Sequence, residues 1–223
     1  MVNVRPLLFF ILWVGVFTNA YGTATFLIGK PGDSAHLFSD EVALVSQMYR
    51  DLGVSIKWID APTGRSVQLL IDGDLDADLL RTDSPALHNS NVLIVSEPLS
   101  FFNIVVYSAI YQSNVEVEQL RGKTFAATRG AFLSTELIER YGLVLVETPT
   151  LEAALKMASS KRVDFVVYGE RIVDDVLSKN KQLNNVNKVS SRLFKIPVFH
   201  VLHRRHRELE PLMSEWLRAN SSN

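Results

Sequence analysis

Leu69-Leu70-Ile71-Asp72-Gly73-Asp74-Leu75-Asp76-Ala77-Asp78-Leu79-Leu80 joins the end of a helix to the start of a strand. Arg65 to Ile71 is predicted to be a short helix closed by Gly73, because glycine readily takes the left-handed conformation that stops a helix. Ala77 to Leu80 then enters a strand. The same grammar runs upstream. Phe26-Leu27-Ile28-Gly29 is a short apolar strand, followed by the turn formers Lys30-Pro31-Gly32-Asp33-Ser34. Ser39 is expected to cap a helix with Asp40 and Glu41 in its first turn. Val42, Val45, Met48, Tyr49 and Leu52 carry helical spacing, and Gly53 ends it. Val54 to Ile59 alternates like a half-buried strand.

Downstream the alternation repeats. Strands are predicted at Ile104–Tyr107, Thr124–Ala127, Val144–Val146 and Val163–Tyr168. Between them come a helix from Ser134 to Tyr141, stopped by Gly142, and one capped by Thr150 that carries Leu151, Ala154, Leu155 and Ala158. Ile172, Val173, Val176 and Leu177 mark a further helix. A late strand, Ile196 to Leu202, and a closing helix, Leu209 to Ala219, complete the chain. Strands separated by helices of this length read as right-handed parallel crossovers, so the fold class is α/β. Two such sets, near 24–98 and 104–190, predict two lobes, with the late strand and closing helix returning to the first.

The chain has 223 residues, 47% hydrophobic and 21% charged, enough for one large domain or two small lobes. Its formal charge of −1, from 23 Lys+Arg against 24 Asp+Glu, excludes a general nucleic-acid binder, which needs a basic face. The absence of cysteine excludes disulfides, thiolate nucleophiles and cysteine-ligated metal centres. Arg5 precedes an apolar run of 11 residues, Leu7 to Phe17, and then Thr18-Asn19-Ala20-Tyr21-Gly22. That is the layout of a secretory signal, cleaved after Ala20 or Gly22, and the run is too short for a comfortable membrane span. The alternative is an uncleaved N-terminal anchor.

Several stretches then resemble, in order, the signatures of periplasmic solute-binding proteins of the amino-acid-binding type (family 3). Leu69 to Asp78 resembles their L-x-x-G-x-x-D, and Val95-Ser96-Glu97-Pro98-Leu99 their F-S-x-P-Y. Leu120-Arg121-Gly122-Lys123-Thr124-Phe125-Ala126-Ala127-Thr128-Arg129-Gly130 resembles L-x-G-K-x-V-x-V-x-x-G. Thr150-Leu151-Glu152-Ala153-Ala154-Leu155 and Lys161-Arg162-Val163-Asp164-Phe165-Val166-Val167 resemble T-x-x-E-A-L and G-R-V-D-A-V-V. The resemblance implies a two-lobe type II periplasmic-binding-protein-like fold with two hinge crossings. With residues 1–22 taken as the signal, the predicted lobes are 23–102 with 197–223 for lobe 1 and 103–196 for lobe 2. Asp76 matches the family's structural aspartate. The arginine with which the family grips a ligand carboxylate falls here on Asn89, and the aspartate that holds the ligand amine on Gly169.

The site candidates follow from strand ends. Arg81 ends a strand and is placed to hold a carboxylate in a bidentate fork; the alternative is an ion pair with Asp78 or Asp83. Arg129-Gly130 stands where a strand turns into a helix, a place that favours anions, or is a plain turn with a surface arginine. Tyr168 and Glu170 are candidates for stacking on a ligand and holding an amine; the alternatives are a core tyrosine and a solvated glutamate. Arg65 opens a helix beside the cleft or points to solvent. Phe101 and Phe102 are expected at the hinge. No metal or cofactor is expected. From Asp72, an EF-hand loop would need glycine at Ala77 and glutamate at Asp83. His200, His203 and His206 fall across a strand end, with arginines interleaved.

Together these readings predict an exported, periplasmic solute-binding protein, monomeric, whose lobes close on a small polar ligand such as an amino acid or other small carboxylate. Its partners would be that ligand and an ABC-type permease or a sensor kinase. The alternatives are an enzyme on the same fold, resembling a prephenate/arogenate dehydratase with Glu170 or His200 as general acid, and a ligand-free scaffold.

Overall fold

The structure, a computed structural model, describes residues 25–32, 35–112, 114–128, 141–190 and 193–220. The predicted signal, Arg129-Gly130 and the helix expected from Ser134 lie outside these residues, except for Tyr141 at that helix's end. The first set of elements is β1 (Phe26–Lys30), α1 (Ser39–Asp51), β2 (Ile56–Asp60), α2 (Thr63–Asp72), β3 (Ala77–Thr82) and β4 (Val92–Ile94). β5 (Ser100–Ser108) leads to β6 (Thr124–Thr128), β7 (Val144–Thr148), α3 (Leu151–Ser159), β8 (Phe165–Gly169), α4 (Glu170–Lys179) and β9 (Asn187–Lys188). β10 (Phe194–His203) and α5 (Glu210–Asn220) return to the first set.

The strands run in the order β2-β1-β3-β10-β5-β8-β6-β7, with β4 beside β10 and β9 beside β5. Within each set the βα units are parallel, as the sequence predicts: β1 with β2 and β3, β6 with β7 and β8. The joins depart from that reading. β10 is antiparallel to β3 and β5, and β5 is antiparallel to β8. β5 and β10 are single strands that pass between the sets, pairing with each other over Ser100–Ile104 and Phe194–Val198. The first half of β5 escapes sequence reading because its residues alternate between half-buried and exposed, without a solid apolar run.

Each set has a core on both faces of its strands. In the first, Val45, Met48 and Tyr49 of α1 meet Leu79, Val198, Met213 and Leu217 on one face. Leu70, Leu75 and Val201 pack on the other. In the second, Ile104 and Val106 of β5 point into one core and Val105 and Tyr107 into the other. A strand buried on both sides must be apolar at every position, which explains the unbroken run Ile104 to Tyr107. Phe102 touches the cores of both sets.

The helix stops are as expected: Gly53 and Gly73 have φ of +72° and +82°. Thr150 caps α3 by accepting the Ala153 N–H at 3.1 Å. Ser39 does not cap α1. A 3-10 turn, Ala35–Phe38, runs directly into the helix, and the cap position falls on Phe38 without a side-chain bond.

Asp76 ties the first set together. Its carboxylate accepts the Leu27 N–H at 2.8 Å, and pairs with Arg205 and His206 at 2.6 Å each. Burial alone would raise its pKa, but these partners hold it below the usual value. The three C-terminal histidines are split: His200 is in the core, His203 ends β10, and His206 sits on Asp76. No helix of the described residues is long and apolar enough to cross a membrane.

Candidate functional site

The carboxyl ends of β1, β2 and β3 share one edge of the first set. Lys30 and Asp60 pair there at 2.6 Å. Beside them Asp78 is almost fully buried, and its Oδ2 accepts from Ser66 Oγ at 2.5 Å, from Arg81 Nε at 3.0 Å, and from Arg81 Nη2. Asp78 Oδ1 is buried with no hydrogen-bond partner. Burial, the larger effect, lifts this carboxyl above the usual carboxylate range despite Arg81 and Ser66. Gly29 makes the arrangement fit. A Cβ there would run into Ser66 Oγ and stand 2.9 Å from Leu75 Cδ1.

A cavity of about 80 Å³ opens where the two sets meet. Phe38 lines it from the first set, Phe101, Phe102 and Asn103 from β5, and Gly169 to Ile172 from the end of β8 and the start of α4. The guanidinium of Arg171 dominates this space. It donates from Nη2 to Glu41 Oε1 at 2.6 Å and from Nη1 to the Leu37 carbonyl at 3.0 Å. It also lies 5.6 Å from the ring centres of both Phe38 and Phe102, within cation–π range. Glu41 is buried and accepts from Ser100 Oγ at 2.9 Å. Burial would raise its pKa, and Arg171 and Ser100 more than offset that, leaving it below the usual value. At the rim, His36 Nε2 and Asp175 Oδ1 stand 2.8 Å apart, and Lys179 holds the other oxygen of Asp175 at 2.8 Å.

Of the predicted site residues, the structure brings Glu170 to the cavity. Its carboxylate is held below the usual range mainly by Lys188, 2.5 Å away, with Asn103 as a second donor at 3.3 Å. Arg81 lies in the first set on Asp78. Arg65 is exposed in the first turn of α2. Tyr168 packs against the core beneath α3 and α4. Arg129 and Gly130 lie outside the described residues. Sequence reading missed Glu41, Arg171, Phe38 and Asn103 as site residues. One signal for Arg171 was present: a cation in a helix's first turn opposes the helix dipole, so a fixed partner elsewhere was to be expected.

No family model and no curated protein matches this chain. Solved structures do. A histidine kinase sensor domain with similarity to periplasmic binding proteins is 19% identical, covers 88% of this chain and 91% of its own, and has a TM-score of 0.69. The periplasmic VFT2 domain of Bordetella pertussis BvgS is 17% identical, covers 88% of each chain and has a TM-score of 0.71. Arginine-bound truncated ArgBP from T. maritima is 19% identical, covers 87% of this chain and 95% of its own, and has a TM-score of 0.64. With its mixed sheet, two through-running strands and a core on either side of them, the chain has the two-lobe fold of periplasmic binding proteins.

Proposed function

We propose that this is an exported ligand-binding protein whose lobes, residues 23–102 with 197–223 and residues 103–196, close on a small polar ligand. The observation that carries the reading is a cavity walled by both lobes and by one of the strands that joins them. The paired stretch of β5 and β10 is the hinge. Arg81 is the carboxylate reader: it stands at the end of β3, and two of its five N–H donors are spent on Asp78, leaving three for a ligand. Arg129-Gly130, Glu170, Tyr168 and Arg65 complete the proposed ligand set. The ligand is an amino acid or small carboxylate delivered to a permease or reported to a sensor kinase. The sensor domain and arginine-binding protein of the same fold support that range.

Binding rather than catalysis is favoured by the two residues that acid catalysis would use. Glu170 is held ionised by Lys188, and His200 is buried with a pKa lowered to about 4. Neither is a ready proton donor near neutral pH.

Thermal-shift screening of the mature chain against amino acids and small carboxylates tests the proposal. A stabilising hit that Arg81→Ala abolishes is expected. A hit that Arg81→Ala leaves intact removes Arg81 from the site. Turnover of the hit to a product establishes the enzyme reading instead, and no hit in any class overturns ligand binding.

A further inference from the structure

We propose that Arg171 is a tethered ligand: its guanidinium fills a cage on the first lobe and holds the cleft closed without any outside molecule. The inference rests on the lobe closure proposed above and goes beyond it.

Three of the four cage residues are first-lobe residues that Arg171 reaches across the cleft. The Leu37 carbonyl and the Glu41 carboxylate accept from it, and Phe38 lies against it on the first-lobe side. Phe102 of the joining strand lies at the same 5.6 Å, and its ring stacks on Phe38 with centres 5.9 Å apart. A carboxylate, a carbonyl and two aromatic rings form a set suited to a guanidinium. Glu41 is only 4% exposed, and a carboxylate that deeply buried needs a cation beside it to stay ionised. Ser100 supplies a neutral hydrogen bond and no charge.

The dipole of its own helix does not favour Arg171. It stands in the first turn of α4, where the exposed N–H groups already carry partial positive charge. The partners it meets among the described residues, Leu37, Glu41, Phe38 and Phe102, lie outside α4. Glu41, by contrast, stands in the first turn of α1, where an anion is stabilised. The pair is therefore favourable only while α1 and α4 face each other. Ile172, the next residue, packs against the first-lobe core and adds apolar contact to the same closure. The space left beside Arg171 is about 80 Å³, against roughly 300–1,000 Å³ for ordinary ligand clefts. The Arg171 clasp therefore has to let go before the lobes can close on an outside ligand.

The test compares the mature wild-type chain with Arg171→Ala by small-angle scattering and thermal unfolding, with methylguanidinium as the probe. Arg171→Ala is expected to raise the radius of gyration by roughly 1 Å over the roughly 16 Å of a compact chain of this size. Its Tm should fall by about 3–6 °C. Millimolar methylguanidinium chloride should restore both in Arg171→Ala, and sodium chloride at equal ionic strength should not. Glu41→Gln keeps the Ser100 contact but loses the charge, and should open the chain without responding to methylguanidinium. If Arg171→Ala does not fold, Glu41→Gln decides: an expanded chain supports the clasp, and a wild-type radius overturns it. Wild-type compactness in a folded Arg171→Ala, or equal effects of the two salts, also overturns it. None of these readouts uses an amino-acid ligand, so a failed ligand screen and a failed clasp are told apart.

Discussion

His200 and Tyr49, 151 residues apart, are joined by a buried hydrogen bond of 3.0 Å between Nε2 and the phenol oxygen. The other ring nitrogen, Nδ1, lies 3.0 Å from the Leu79 carbonyl. A carbonyl only accepts, so Nδ1 carries the proton and Nε2 accepts from Tyr49. One neutral tautomer thus ties α1, β3 and β10 together inside the first lobe.

The pH dependence of stability follows from that bond. Burial lowers the His200 pKa from 6.5 to about 4 in the folded chain. Between those values the unfolded chain binds the proton and the folded chain does not, so stability falls on acidification through this window. Urea unfolding should give a stability lower by about 2 kcal/mol at pH 5 than at pH 7 from this group. His200→Phe should flatten that slope while leaving the Tyr49 hydroxyl unpaired. An unchanged slope would show that His200 is reached by protons in the native state.

Arg81 and Asp78 should be strongly non-additive. Arg81→Ala strands a buried carboxylate, a loss of about 3–5 kcal/mol by analogy with other broken buried pairs. Asp78→Asn in the same chain removes the charge and should recover more than half of that loss. A double-mutant cycle in urea measures the coupling, and additive values would mean that the pair is solvated.

Gly29 is expected to accept alanine only when Ser66 gives way. Gly29→Ala drives a methyl group into Ser66 Oγ and towards Leu75, and should cost about 1–3 kcal/mol as other overpacked sites do. Adding Ser66→Ala should make the double variant more stable than the sum of the two single changes. Thermal unfolding of the three variants is sufficient to read this.

Asp76→Ala leaves the Leu27 N–H without its acceptor, and Arg205 and His206 without their anion. The expected loss is about 2–3 kcal/mol, larger than for an exposed pair because the amide is partly buried. Asp76→Asn should lose less, since an amide oxygen still accepts from Leu27. Equal losses in the two variants would point to charge rather than the amide bond.

Much of this architecture is local and was therefore legible. Gly53 and Gly73 announce left-handed turns, Thr150 announces a cap, and Ile104 to Tyr107 announces a strand buried on both faces. Asp76 could be assigned from its motif. Ser39 misled because a helix cap depends on how the chain arrives, and here a 3-10 turn arrives already wound. The first half of β5 was hidden because its partner is β10, 90 to 98 residues further along the chain.

By itself the sequence determined the order of helices and strands, the two βα sets and their apolar faces. These depend on periodicities of two and 3.6 residues and on glycine stops, all carried within a few neighbouring positions. Only the tertiary structure decided which charges meet. Arg81 turned inward onto Asp78, and Arg171 crossed 130 residues of chain to reach Glu41. A charge pair across a cleft leaves no period in the sequence: it exists because two helix starts are brought face to face, and that placement is made by the packing of the lobes.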